Sequence, residues 1–149
     1  MPIIWRNQMS VGNDLIDQDH RYLFCLINSI ELAMRHEDDT DALLVFVGQL
    51  VKYTQFHFER EESIQKKALY PQSGSHHDVH QEILGHIGEL ERDVREYHEH
   101  SRAGALVDGE REMITQRVML LLREWVLDHV LKDDKRMEPY LRKLPANFE

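Results

Sequence analysis

Four stretches of this chain repeat apolar residues at alternating spacings of three and four, and histidine interrupts each stripe near one end. Such spacing paints one face of an α-helix and packs helices nearly antiparallel in a bundle. The first helix is expected from about Asp14 to Arg35, with an inner seam of Ile16, His20, Leu23, Ile27, Ile30 and Met34. The second, from about Asp41 to Ala68, carries Leu43, Val47, Leu50, Thr54, His57, Glu61 and Ile64. The third runs from near Ser75 to about His100 through His76, His80, Ile83, Ile87, Leu90, Val94 and Tyr97. The fourth, from about Glu110 to Lys132, presents Thr115, Met119, Leu122, Val126 and His129.

The breaks between these stretches are short. Glu37 to Thr40 is acidic and polar, Tyr70 to Gly74 is a turn cluster, and Arg102 to Gly109 holds two glycines. Connections of this length favour an all-α, up-down-up-down four-helix bundle, read as a single domain over residues 1–149. An N-terminal arm, Ile3-Ile4-Trp5, is expected to lie across the bundle end, and a short C-terminal tail from Met137, with Pro139 and Pro145, to pack as helix or coil. Seven glycines and four prolines are too few for the turns of a strand-rich fold.

A net charge of -9 gives no electrostatic footprint for nucleic acid or an anionic membrane surface. The longest apolar runs, Ala42 to Val47 and Val118 to Leu122, are too short to span a bilayer. The N-terminus lacks the basic start and apolar stretch of a signal peptide, so a cytoplasmic location is expected. The single cysteine, Cys25, forms no intramolecular disulfide and is expected as a small buried or half-buried residue. Against it stand ten histidines, so any bound metal has imidazole and carboxylate ligands, which suit iron, zinc, copper or manganese.

In an up-down bundle the start of one helix and the end of the next lie at one level. His20, His57, Glu61, His76, His80 and His129 therefore converge on one slab of the core. His57/Glu61 and His76/His80 are each one turn apart and project from the same face. Any one histidine on an apolar face is more often a hydrogen-bonded core residue than a ligand. Five histidines and a glutamate facing one another, however, are hard to satisfy without a cation. A further carboxylate after His129 should complete the set: regular α spacing selects Asp133, a locally loosened helix end Asp134. His36, His77, His86, His98 and His100 fall off the seams and are expected in solvent, while Tyr53 and Trp125 flank the seams as core.

In order and spacing, the sequence resembles the hemerythrins, particularly their bacterial single-domain branch. The resemblance spans Trp5, Val11-Gly12-Asn13, Ile16-Asp17 with His20, the run HFEREE from His57, Tyr70-Pro71 followed by His76 and His80, and WVLDHVLKDD from Trp125. The up-down bundle is also the architecture of myohemerythrin. The resemblance implies two iron ions with a bridging oxo or hydroxo group, held by His20, His57, Glu61, His76, His80, His129 and Asp134. In this family the aspartate stands five residues after the last histidine, which selects Asp134. Five imidazoles, two bridging carboxylates and the bridging group leave one vacant position on a six-coordinate pair, where dioxygen binds in similar proteins. Leu23, Trp125, Val126 and Val130 are the expected apolar pocket around it. The interval from His80 to His129 is longer than usual for the family, with the excess around 97–112, a candidate surface for a protein partner or a second copy.

The function implied is reversible dioxygen binding, for transport, storage or delivery, rather than enzyme catalysis. A di-iron oxidase or peroxidase is the first alternative. Oxygen-activating bundles carry Glu-x-x-His pairs and carboxylate-rich ligand sets. This chain has no such pair, and its proposed set is imidazole-rich. A second alternative is oxygen or nitric-oxide sensing, or an iron-stress role, acting through a partner.

Overall fold

A computed structural model describes residues 2–35 and 40–149, with backbone alone at 124–126. The first four helices are α1 (Asp14–Ala33), α2 (Thr40–Lys67), α3 (Ser73–Ala103) and α4 (Glu110–Leu120), and a short α5 (Glu138–Leu141) follows. No strand occurs among the described residues, and no helix there is long and apolar enough to cross a membrane.

Alternating direction is fixed by contacts at the end remote from the histidines. Thr40 Oγ1 at the start of α2 lies 2.9 Å from His98 Nδ1 near the end of α3. Arg111 at the start of α4 donates to the Met34 carbonyl at the end of α1, at 3.2 Å. The chain is thus the expected up-down-up-down four-helix bundle. Every apolar seam position expected on the first three helices is buried, from Ile16 through Tyr97. Leu50, Ile87 and Val118 meet in one core running the length of the bundle.

The fourth helix departs from expectation. After Leu120 the chain widens into π-helix over Leu121–Leu127 and again over His129–Asp133, then tightens to 3₁₀ over Asp134–Met137. Counting back from His129 in threes and fours gives Thr115 and Met119, yet Ile114 and Val118 are the buried residues. The wider turns take up an extra residue and shift the earlier register by one.

The N-terminal arm also differs: it lies along α1 rather than across the bundle end. The Asn28 side chain clamps Ile3, accepting from its N–H at 2.7 Å and donating to its carbonyl at 2.8 Å. Trp5 then packs beside Phe24, with the Arg21 guanidinium 5.0 Å from its ring centroid. Asn13 caps α1 by accepting from the N–H groups of Leu15 and Ile16. Gly12, at φ +85°, lies where a β-carbon would stand 2.8 Å from Arg142 Cγ, so arm and tail meet only because no side chain intervenes. Val11, Ile16, Ile64, Tyr70, Met137 and Leu141 form a second apolar cluster over the histidine end.

The longer interval before His129 is helix rather than loop, since only 104–109 separate α3 from α4. Gly104, in the left-handed region at φ 64°, ends α3. Cys25 is exposed, against expectation, because the inward stripe of α1 passes through Phe24 and Leu26 on either side.

Candidate metal centre

The helices deliver seven side chains to one level between the two apolar clusters. His20 comes from the second turn of α1, His57 and Glu61 from the last turns of α2, His76 and His80 from the first turns of α3. His129 and Asp134 come from the π-wound segment. All seven are buried, with His76 the most accessible at 6%.

They form two donor sets that share both carboxylates. Glu61, His76, His80, His129 and Asp134 make one, and His20, His57, Glu61 and Asp134 the other, with the offered atoms of each set within 4.8 Å of one another. Glu61 Oε1 lies 2.8 Å from His76 Nε2 and 3.3 Å from His80 Nε2. Its other oxygen, Oε2, faces His57 Nε2 at 3.6 Å and His20 Nε2 at 3.9 Å. Asp134 repeats the pattern. Oδ1 approaches His129 Nε2 at 3.0 Å and His76 Nε2 at 3.1 Å, while Oδ2 approaches His20 Nε2 at 3.1 Å. Each carboxylate therefore turns one oxygen to each set.

The donor chemistry fits cations. His80 Nδ1 lies 2.8 Å from Glu62 Oε1, and His129 Nδ1 lies 3.3 Å from Asp133 Oδ2. With those nitrogens donating, both Nε2 lone pairs face each other, 3.0 Å apart. Two lone pairs at that distance need either a proton or a metal ion to hold them together. Donors on neighbouring corners around an ion at about 2.0–2.2 Å stand roughly 3 Å apart. Among the described residues, ten buried side-chain polar atoms lack a hydrogen-bond partner, and six belong to His20, His57, Glu61 and Asp134. Apart from His20 Nδ1, whose ring turns Nε2 to the carboxylates, these atoms face one another across the two sets, which is the arrangement of ligands converging on common centres.

The π-winding decides between the two aspartates. A π-turn places residues five apart on one face, so Asp134 joins His129 in the cluster. Asp133 falls behind the His129 ring, where it holds Nδ1 and remains part-exposed. Asp19 plays the same part for His57. Its Oδ2 is 3.4 Å from His57 Nδ1, and Oδ1 accepts from the Tyr53 hydroxyl at 2.7 Å and from Arg60 at 3.0 Å. Carboxylates behind His57, His80 and His129 fix each tautomer so that Nε2 faces inward. Gln65 Nε2 donates to Glu61 Oε1 at 3.0 Å, and Phe58 stacks on His80 at 3.7 Å between centroids.

The electrostatics follow. Burial works to neutralise His76 and His129, but Asp134 and Glu61 outweigh it, raising His76 to about 9 and His129 to about 10. Burial opposes the charge on Asp134 and Glu61 too, yet their imidazole neighbours hold both below the ordinary carboxylate range. His57 is pushed down, chiefly by burial. Protons on His76 and His129 thus occupy places where the negative field calls for cations.

Against the cluster lies a small cavity of about 10 Å³, lined among the described residues by Leu23, Thr54, His57, Phe58, Ile83, His129 and Val130. Leu23 and Val130 were expected there. The side chains of Trp125 and Val126 lie outside the described residues, as does His36. Thr54 was placed on the seam but given no role, and Phe58 and Ile83 were not anticipated in the pocket. Asp19 was missed because it stands one position off the seam. Its available signal was its place at the level of Tyr53 and Arg60 on α2. Of the histidines expected in solvent, His77 is exposed and His86 and His100 are part-exposed, but His98 is largely buried against Thr40.

Comparison with known proteins agrees with this geometry. The family model for the hemerythrin HHE cation binding domain matches residues 11–141. A bacteriohemerythrin of Stenotrophomonas maltophilia (strain R551-3) is 27% identical over 133 residues, covering 89% of this chain and 77% of that protein. One from Clostridium acetobutylicum is 22% identical over 135 residues, covering 89% and 95%. A crystal structure of a hemerythrin point mutant superposes with a TM-score of 0.71 at 20% identity, covering 95% of this chain and 99% of that one.

Proposed function

This chain belongs to the hemerythrin HHE cation-binding family, and on that premise we propose that it binds dioxygen reversibly at a non-haem di-iron centre. His76, His80 and His129 would hold one iron and His20 and His57 the other, with Glu61 and Asp134 available to both and an oxo or hydroxo group completing the centre. The observation that carries this reading is the inequality of the two donor sets, five side chains against four with both carboxylates in common. The set with His20 and His57 has one protein donor fewer, and the apolar cavity borders His57 of that set and His129 of the other.

Iron bound there would supply the electrons for reversible dioxygen binding. The protein's own residues do the rest. Asp19, Glu62 and Asp133 hold the imidazoles with Nε2 inward, so the donors are preset before a metal arrives. Leu23, Ile83, Phe58 and Val130 wall the cavity with apolar surface, which keeps water from a bound guest. Among the described residues, no buried acid, and no histidine outside the two sets, borders the cavity to deliver protons for O–O cleavage, which favours holding dioxygen over consuming it.

The test is a visible spectrum of anaerobically reduced, iron-loaded protein before and after air. The expected result is a colourless form that turns violet-pink and reverts when oxygen is removed. Irreversible oxidation with free peroxide would contradict the binding reading and favour an oxidase.

A further inference from the structure

Thr54 is 1% exposed, and its hydroxyl has no hydrogen-bond partner. A threonine or serine within a helix ordinarily turns its hydroxyl back to the carbonyl four residues earlier. Ser29 does so in α1, donating to the Cys25 carbonyl at 2.9 Å. Thr54 makes no such bond although α2 continues unbroken through it. It stands one turn before His57 on the same face, and it lines the cavity beside that histidine. The other lining residues are Leu23, Phe58, Ile83 and Val130, with the rings of His57 and His129. Thr54 therefore brings the cavity its one side-chain hydroxyl among the described residues. Nothing in the empty fold recovers the cost of burying it.

We propose that Thr54 is a specificity-determining residue whose hydroxyl donates a hydrogen bond to the acceptor atom of a small ligand seated in this cavity against the His20/His57 metal. The ligand class is a diatomic or linear triatomic with a free acceptor end, dioxygen or azide. With only about 10 Å³ open, the apolar walls turn away bulky guests, and the hydroxyl then selects those that can accept over those that cannot. The inference rests on the di-iron reading above.

Azide is the probe, titrated into the oxidised, iron-loaded protein and followed by its charge-transfer absorption, for the parent chain, Thr54→Val and Thr54→Ser. Thr54→Val keeps the shape and removes the hydroxyl. It should retain the parent's iron content and bind azide roughly three- to tenfold more weakly, while Thr54→Ser stays within about twofold of the parent. The metal-free proteins give a second readout. Because the hydroxyl has no partner there, Thr54→Val should melt at or above the parent's temperature. Unchanged azide affinity in Thr54→Val with iron retained overturns the role of Thr54 alone. So does a clear drop in the melting temperature of the metal-free variant, which would mean the hydroxyl already has a partner. A parent chain that takes up no iron overturns the di-iron reading and this inference with it.

Discussion

The two aspartates after His129 differ in what they touch, although they are neighbours in sequence. Asp134 is fully buried with its oxygens divided between two histidine sets, whereas Asp133 reaches only the outer nitrogen of His129. Asp134→Asn should leave no more than one iron per chain. Asp133→Asn should keep two and bind them about 10- to 100-fold more weakly, as expected for a residue that orients a ligand. Metal analysis after gel filtration checks the first, and competition with a chelator the second. At this scale the sequence was most legible for residues on the apolar stripes, because periodicity finds whatever faces inward. All five clustered histidines and Glu61 were legible that way. Asp19 was not, since it is buried by a sideways contact with α2 that no period on α1 records. Thr54 was visible as a seam residue, but only the cavity beside it gives its hydroxyl a context.

The fourth helix shows what a period can and cannot carry. Steps of three and four found the helix and its inward end, but they assume a constant pitch, and the pitch changes after Leu120. The additional residue moves burial to Ile114 and Val118 in the early turns and brings Asp134 under His129 at the end. Deleting the exposed Arg123 should remove that residue from the π segment. The far-ultraviolet circular dichroism should remain fully helical while iron retention falls, since either the early seam or the Asp134 oxygens must leave their places. Full iron content in the deletion variant would show that the π-winding does not position the ligand. The N-terminal arm was misplaced for a related reason. Its apolar residues announce that it packs somewhere, but the partner that fixes it, Asn28, is polar and one turn beyond Trp5's contact with Phe24 on α1.

Across the molecule, the buried charges make the stability of the metal-free protein depend on pH in a specific way. His76 and His129 keep their protons in the fold up to about 9 and 10, whereas the unfolded chain loses them near 6.5. Their contribution is complete below 6.5 and is lost as pH rises toward 10. His57 is shifted the other way, so the unfolded chain takes up its proton first and stability falls as pH drops below 6.5. Glu61 and Asp134 add to that fall once the unfolded carboxylates protonate, near 4.5 and 3.8. Thermal melts of the metal-free protein should therefore show a maximum near pH 6.5 with both flanks declining. Bound metal takes the place of the protons on His76 and His129, so the alkaline flank should flatten in the loaded protein. A metal-free chain with no alkaline decline would mean that the carboxylate field is not felt by those imidazoles.

All of this turns on two cations lying between shared carboxylates. The most direct measurement is the iron-to-chain ratio after anaerobic ferrous loading and gel filtration. A ratio of two is predicted, since each donor set holds one ion and Glu61 and Asp134 serve both. A ratio of one would mean that the cluster is a single mononuclear site, and a ratio of zero that it is a proton-stabilised polar core.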